Sequence, residues 1–235
     1  MPLWIQKWHL GFKTWQYTPT ERGFDSHVRD TVYGHVVAAP RWRLRWWPRS
    51  LADHTHHLTH SVAGACRTQL GYYAGSTDYY TQDSLCWPDS QCFTDKTPTH
   101  EPVSGWDLHR NRVTITNSTI YSTTLYTAEA GRIIAAHAEQ LHNVDAKPLF
   151  LYLPYQAVHV GNKPTTAHPE YGLDQAPAHY IEPYHAIADV QRRNLSGMVA
   201  AMDEAAGNVT QSLKSHGLWD NTLFIFSTDV RPLRP

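Results

Sequence analysis

Lys7 and His9 stand two residues apart near the start of the chain, with Trp8 between them. In a β-strand, side chains two residues apart project from the same face. Lysine supplies a compact positive charge and histidine supplies a second hydrogen-bond donor or a proton, so the two could hold one anion together. A strand edge with solvated polar residues would show the same spacing, so the pair alone leaves both interpretations open.

Two further polar residues each follow an apolar run that reads as a strand. His159 comes shortly after the run PLFLYLP, and Asp229 comes directly after TLFIFST. Active-site residues of open α/β sheets lie just past the carboxyl ends of strands. An aspartate in that position could ligate a metal through oxygen. Each residue, taken alone, could equally be an ordinary polar loop residue.

The elements that must position these side chains alternate between strand and helix. Residues 120–142 predict a helix, and residues 149–154 predict a buried strand. Residues 190–217 predict a second helix with Gly217 at its carboxyl end, and residues 221–229 predict a second buried strand. This order predicts an α/β fold with a mainly parallel sheet flanked by helices.

Composition excludes several classes of function. Hydrophobic residues make up 41% of the chain and charged residues 17%, which is typical of a globular protein. The net charge of −1 gives no electrostatic basis for binding nucleic acid or an anionic membrane. No apolar run reaches the roughly 18 residues that a membrane span requires. No signal peptide is visible, and we expect that an N-terminal segment is missing from this sequence.

Several features are nevertheless typical of a secreted protein. Asn117, Asn194 and Asn208 each begin an N-glycosylation sequon. Cys86 and Cys92 are close enough in sequence to bridge a short loop, although both could also remain reduced. We therefore expect a chain of secretory ancestry, with these asparagines as candidate glycan acceptors.

The chain resembles the sulfatase family, and most closely the arylsulfatase B group with arylsulfatases I and J. The resemblance rests on ordered segments, and these segments are KWHLGF, TERGFD, GYYAGSTDYY, KPLFLYLPYQAVH and MVAAMDEAAGNVTQSLKSHGLWDNTLFIFSTD. It covers residues 7–27 and 70–229. The resemblance implies a partial alkaline-phosphatase-like α/β fold that hydrolyses sulfate esters, often on glycosaminoglycans, in lysosomes or outside the cell.

The resemblance also assigns roles to particular residues. It implies that Lys7 and His9 contact the sulfate group and that His159 lies against the leaving group. It implies that Asp229 is a ligand of a Ca²⁺ ion, and that Cys86 and Cys92 form a disulfide bond. Cationic donors and a divalent metal would stabilise the negative charge that builds up as the S–O bond breaks.

The chain also departs from the family pattern. The family nucleophile is a cysteine in a C-x-P-S-R segment, and none of the three cysteines here stands in such a segment. An early Asp-Asp pair of calcium ligands is absent, and Val230 follows Asp229 where the family has asparagine. We therefore expect this chain to be nearly inactive by itself. The alternatives are a non-catalytic protein that retains a sulfated-glycan pocket, and a mispredicted product that does not accumulate in folded form.

Residues 28–69 interrupt the family-like sequence. Val28 and Val230 stand where the resemblance breaks off, and valine codons begin with GT, as introns do. We therefore interpret residues 28–69 as a non-family insert, which a translated intron would explain. Two functional alternatives remain open: the histidines of HTHHLTH could bind Zn²⁺ or Ni²⁺, and RWRLRWW could lie at a membrane interface.

A cluster of tyrosines precedes the first predicted helix. Tyr72, Tyr73, Tyr79 and Tyr80 could line a sugar cleft, because aromatic faces pack against sugar rings. Half-buried packing is the more ordinary role of such a cluster, and the sequence favours it.

Overall fold

The computed structural model describes most of the family-like sequence. The described residues are 2–5, 7–8, 10, 14–23, 35–39, 70–73, 76–86, 103–144, 146–161 and 172–228. For residues 2–4, 20, 35–39, 85–86 and 103 only the backbone is described. His9, Cys92, Asp229 and residues 40–69, which include the histidine cluster, lie outside the described part.

Short strands and two long helices make up the described structure. The strands are β1 (Pro2–Trp4), β2 (His35–Ala39), β3 (Leu70–Gly71), β4 (Asp83–Cys86), β5 (Val103–Trp106), β6 (His109–Arg110), β7 (Val113–Thr114), β8 (Phe150–Pro154) and β9 (Leu223–Ser227). The helices are α1 (Ser122–Gln140), α2 (Ala178–Ile181) and α3 (Val190–Ser215). Short 3-10 helices are formed by Trp15–Tyr17, Pro19–Glu21, Glu182–Tyr184 and Trp219–Asn221.

The main sheet has the strand order β1-β8-β2-β9. β1 pairs with β8 in parallel, whereas β2 is antiparallel to both β8 and β9. The α/β class is confirmed, but the predicted mainly parallel sheet is not. The reason is that β2 lies between two strands of the same direction and runs against both, so that among the described strands of this sheet only β1 and β8 pair in parallel.

The carboxyl ends of three strands nevertheless meet at one edge of this sheet. His35 is the register partner of both Pro154, at the end of β8, and Ser227, at the end of β9. Trp4, at the end of β1, is paired with Tyr152 in β8. Residues that follow these three strands therefore leave the sheet from the same edge.

α1 and α3 pack against each other and supply much of the core. α3 begins at Asp189, whose carboxylate accepts a hydrogen bond from the Arg192 backbone N–H at 2.7 Å. Beyond its end Gly217 adopts a positive φ of 70°, which suits the predicted helix stop. The apolar residues at helical spacing are buried, and they are Met198, Met202, Ala205, Val209 and Leu213.

β9 differs from its prediction as a buried strand. Ile225 and Phe226 are exposed, and 54% of Phe226 is accessible to solvent. β9 is the last strand in the order of the sheet, so within the described residues only β2 pairs with it. An apolar run identifies a strand but does not show which of its faces is covered.

Candidate functional site

Lys7 lies just beyond the carboxyl end of β1 and is almost fully buried. The Ile5 backbone N–H donates to the Tyr152 carbonyl of β8 at 3.1 Å, and Trp8 donates to the Tyr72 carbonyl at 2.9 Å. The segment between them is therefore held from both sides, and only 1% of Lys7 is exposed. Lysine is almost never this deeply buried without a polar or charged environment that compensates its ammonium group. Its burial makes it a candidate site residue.

His159 follows the neighbouring strand β8 in a short turn. Its backbone N–H donates to the Gln156 carbonyl at 2.7 Å, and its own carbonyl accepts from the Tyr79 hydroxyl at 2.7 Å. Its ring atom Nδ1 lies 2.7 Å from the Val160 carbonyl oxygen. Because a carbonyl oxygen can only accept, Nδ1 is the protonated nitrogen, and in the neutral ring Nε2 is the acceptor. The turn thus fixes both the position and the tautomer of His159.

The buried amide of Gln156, just after β8, is hydrogen-bonded to Thr77. Its Nε2 donates to the Thr77 carbonyl at 2.7 Å, and its Oε1 accepts from the Thr77 hydroxyl at 3.2 Å. The Ser122 hydroxyl at the start of α1 also reaches Gln156 Oε1, at 3.4 Å. One side chain therefore ties the turn that carries His159 to two other elements.

A second buried amide, Gln175, supports the turn of His159 indirectly, through Tyr79. Its Oε1 accepts from the Tyr79 N–H at 2.7 Å, and its Nε2 donates to the Asp78 carboxylate at 3.1 Å. The same carboxylate caps the turn at Tyr80 and Thr81 by accepting both backbone N–H groups at 2.8 Å. Tyr79 is thereby positioned to hold the His159 carbonyl.

Sequence reasoning missed the supporting residues Asp78, Gln156 and Gln175. All three are buried and hydrogen-bonded. Their position in the sequence could have identified two of them. Gln156 and Asp78 are polar residues in mainly apolar or aromatic stretches. The packing interpretation of the tyrosine cluster is confirmed for Tyr72 and Tyr79, which are fully buried.

The structure brings two of the four predicted site residues to one sheet edge. Lys7 follows β1 and His159 follows β8, and these strands are parallel neighbours. His9 and Asp229 lie outside the described residues. Thr228, the residue before Asp229, follows β9 at the same edge.

The predicted modification sites differ in their exposure. Asn117 and Asn208 are exposed, whereas Asn194 lies on α3 with only 3% of its surface accessible. Cys86 ends β4, and its predicted partner Cys92 lies outside the described residues. In the part of the chain that the structure describes, no helix is both long and apolar enough to cross a membrane.

A buried lysine and a fixed histidine thus lie at the carboxyl ends of adjacent strands. Such an arrangement can hold an oxyanion. The chain belongs to the sulfatase family, because the family model described as Sulfatase matches residues 3–230. This match confirms the resemblance found in the sequence.

Among individual proteins, the chain is similar to Arylsulfatase J of Mus musculus. The two are 31% identical over 225 residues, which cover 96% of this chain and 26% of the relative. The chain thus spans about a quarter of the length of the curated relative it matches.

Solved structures share the fold. The crystal structure of Ps i-CgsB has a TM-score of 0.54 and 19% identity, and the match covers 94% of this chain and 35% of that one. The structure of Ps i-CgsB in complex with k-i-k-neocarrahexaose gives the same TM-score and coverage at 20% identity. At these identities the likeness shows the fold alone.

Sulfatases are generally metal-dependent, but the described residues do not form a metal site. No group of three or more His, Cys, Asp or Glu side chains that could hold an ion occurs among them. A calcium ion requires about six to eight oxygen ligands. The predicted ligand Asp229 lies outside the described residues.

Proposed function

We propose that this chain is part of an arylsulfatase-type sulfuric ester hydrolase, and that Lys7 and His159 bind the sulfate group of a sulfated sugar or an aryl sulfate. The single observation that carries the proposal is the burial of Lys7 at the carboxyl end of β1, beside the strand that leads to His159. A buried ammonium group is a strong partner for an anion, because little water screens it. His9, two residues after Lys7, is the proposed second donor.

The roles follow from the charges that form as a sulfate ester is cleaved. Negative charge builds up on the sulfuryl oxygens and on the leaving oxygen, and the Lys7 ammonium group stabilises the former. His159 Nδ1 donates to the Val160 carbonyl, so in the protonated ring the second proton is on Nε2. In a complete enzyme of this type, a nucleophile bonds to sulfur as the S–O bond breaks, and that proton is transferred to the leaving oxygen.

The chain by itself is proposed to bind sulfate esters without hydrolysing them. Covalent catalysis requires a nucleophile, and no cysteine in this sequence stands in the C-x-P-S-R segment that the resemblance implies. Asp229 is the proposed calcium ligand, but a single carboxylate does not complete a site, and no step is assigned to the ion. Non-catalytic binding of sulfated glycans is the second candidate function. It is favoured because this sequence contains no C-x-P-S-R segment.

We further propose a lysosomal or secreted location. Exposed Asn117 and Asn208 can accept glycans, and a Cys86–Cys92 disulfide bond would be stable in an oxidising compartment. The burial of Asn194 argues against a glycan at that sequon.

The test measures binding and turnover of 4-nitrophenyl sulfate by the purified chain. We expect Lys7→Gln to weaken binding about tenfold or more, because a desolvated charged partner is lost. Lys7→Arg, which keeps the charge, should retain part of the affinity. The matched control is Lys214→Gln, since Lys214 is exposed on α3 and its ammonium group lies 5.2 Å from the Trp219 ring centre.

Circular dichroism confirms that each variant is folded before binding is compared. Equal binding by the wild-type chain and folded Lys7→Gln, or no binding by the wild-type chain, would contradict the proposed site. Release of 4-nitrophenol by the wild-type chain would contradict the proposed lack of turnover.

A further inference from the structure

A cavity of about 410 Å³ lies between the N-terminal 3-10 helices and the strands β3, β5 and β6. Its described lining residues are Thr14, Trp15, Thr18, Tyr73, Trp106, Asp107 and His109. This volume is within the range of roughly 300–1,000 Å³ that small-molecule sites occupy. We call it the Trp15–Trp106 cavity.

Aromatic rings dominate the wall of the Trp15–Trp106 cavity. Trp15 is 41% exposed and Trp106 is 52% exposed, although both are large apolar side chains. The Tyr73 ring packs edge-on against Trp15, with ring centres 6.1 Å apart. The Arg112 guanidinium lies 5.6 Å from the Trp15 ring centre. Exposed aromatic rings in a concave surface are typical of binding sites.

Polar groups of fixed position complete the lining. Asp107 accepts from the Tyr73 backbone N–H at 3.1 Å through one carboxylate oxygen and from the Ser84 hydroxyl at 2.9 Å through the other. His109 Nδ1 lies 2.7 Å from the Asp107 carbonyl oxygen, which assigns the proton to Nδ1. Burial and the nearby Asp107 carboxylate raise the pKa of the Tyr73 phenol, so it stays neutral.

This combination fits the chemistry of a sugar ring. The C–H face of a hexopyranose packs on aromatic rings, and its hydroxyl groups donate to carboxylate, hydroxyl and imidazole acceptors. None of the described lining residues is a lysine or an arginine. A sulfated ring would bring its negative charge close to the Asp107 carboxylate, and the Arg112 guanidinium beside Trp15 is already ion-paired with Glu21, which favours an unsulfated ring.

The cavity is connected directly to the segment that carries Lys7. Trp8, next to Lys7, donates its backbone N–H to the Tyr72 carbonyl at 2.9 Å, and Tyr73 is the next residue in the cavity wall. The segment that carries Lys7 and the segment that lines the cavity are therefore adjacent in the fold.

We propose that the Trp15–Trp106 cavity is a subsite for an unsulfated hexopyranose unit that neighbours the sulfated unit of an oligosaccharide. The neighbouring position rests on the proposed function, whereas binding of a neutral sugar in the cavity does not. The site thus recognises a chain of sugars rather than an isolated sulfated monosaccharide.

The test measures binding of three neutral disaccharides, lactose, cellobiose and N,N′-diacetylchitobiose, to the whole chain by calorimetry or NMR titration. At least one should bind the wild-type chain, and Trp106→Ala should bind it about tenfold more weakly. Trp15→Ala is the second variant, on a different element of the wall. Trp219→Ala is the matched control, because Trp219 packs on Phe224, with ring centres 5.8 Å apart, and is not part of the cavity lining.

Lys7→Gln separates the two proposals. It should leave neutral disaccharide binding unchanged while it weakens binding of 4-nitrophenyl sulfate. If no disaccharide binds the wild-type chain at about 10 mM, or if both folded tryptophan variants bind as the wild type does, the subsite assignment is wrong. Unchanged binding of 4-nitrophenyl sulfate by Lys7→Gln would count against the proposed function and not against the neutral-sugar site.

Discussion

At the residue scale, Glu129 shows how this protein compensates a buried charge. Its carboxylate lies on α1 and is bound by Arg132 at 2.8 Å and by Arg110 at 3.0 Å. Burial alone would raise the pKa of Glu129, but the hydrogen bonds and charges of the two arginines outweigh it and hold the pKa below the ordinary value. The carboxylate therefore joins α1 to β6 in its ionised form.

A pH dependence of stability follows from Glu129. Because its pKa is lower in the folded protein, the carboxylate stabilises the fold above the ordinary pKa of about 4.5, and this contribution is lost as the pH falls through the lowered value. We expect Glu129→Gln to cost about 1–3 kcal/mol at pH 7 and to flatten the loss of stability in acid. Urea unfolding at several pH values measures the free energy of unfolding at pH 7 and its decrease in acid.

Glu139→Gln is the control for this prediction, since Glu139 is exposed on the same helix. It should follow the wild-type pH profile. If the stability of Glu129→Gln falls as steeply in acid as that of the wild type, groups other than Glu129 cause the decrease.

At the same scale, His159 could be predicted as a candidate but its environment could not. The sequence shows that His159 follows an apolar strand, and this position indicates that His159 lies at the carboxyl end of a sheet. The Tyr79 hydroxyl that holds the His159 carbonyl is 80 residues away in sequence. Such a contact depends on how separate segments pack, and no local pattern encodes it.

At the element scale, α3 packs closely against α2 at one glycine. A Cβ atom at Gly197 would lie 2.9 Å from Ile181 Cγ1 and 3.2 Å from Ala176 Cβ. Gly207, further along α3, has no atom within 4 Å of such a Cβ. The two positions therefore form a matched pair on one helix.

Alanine substitutions should separate these two glycines. Gly197→Ala should lower the free energy of unfolding by about 1–3 kcal/mol, because α2 must move away from α3. Gly207→Ala should raise it by up to about 1 kcal/mol, because alanine favours the helix. Urea denaturation measures both, and equal effects would contradict the close approach of α2 and α3.

A second element, β2, decides how the predicted insert is interpreted. His35–Ala39 belong to residues 28–69, yet their backbone pairs with β8 on one side and β9 on the other. The interpretation of residues 28–69 as a non-family insert stays a prediction. No strand periodicity in the sequence distinguishes these five residues from the irregular stretch around them.

A proline in β2 tests its place in the sheet. Val37→Pro removes a backbone N–H from a strand with partners on both sides, and it should cost about 2–3 kcal/mol through a lost bond and an unsatisfied carbonyl. Val37→Ala, which keeps the N–H, is the control. Unchanged unfolding of Val37→Pro would indicate that β2 is dispensable and would favour the insert interpretation.

At the scale of the whole molecule, exposure determines which sequons can carry glycans. Asn117 and Asn208 lie on the surface, whereas Asn194 is buried in α3. We expect a chain secreted from cultured cells with an added signal peptide to carry glycans at the first two sites only. Mass spectrometry of Asn117→Gln, Asn208→Gln and Asn194→Gln measures occupancy, and a glycan on Asn194 in the folded secreted protein would contradict its burial.

The sequence by itself determined the helices α1 and α3, the strands β8 and β9, the sulfatase family and the candidate residues, because periodicity and ordered motifs are local properties of a chain. The tertiary structure alone decided the direction of β2, the exposure of β9 and the burial of Lys7 and Asn194. It also brought Trp15, Tyr73 and Trp106 around one cavity. These properties depend on which distant segments pack together, and packing is determined by the whole chain rather than by any window of it.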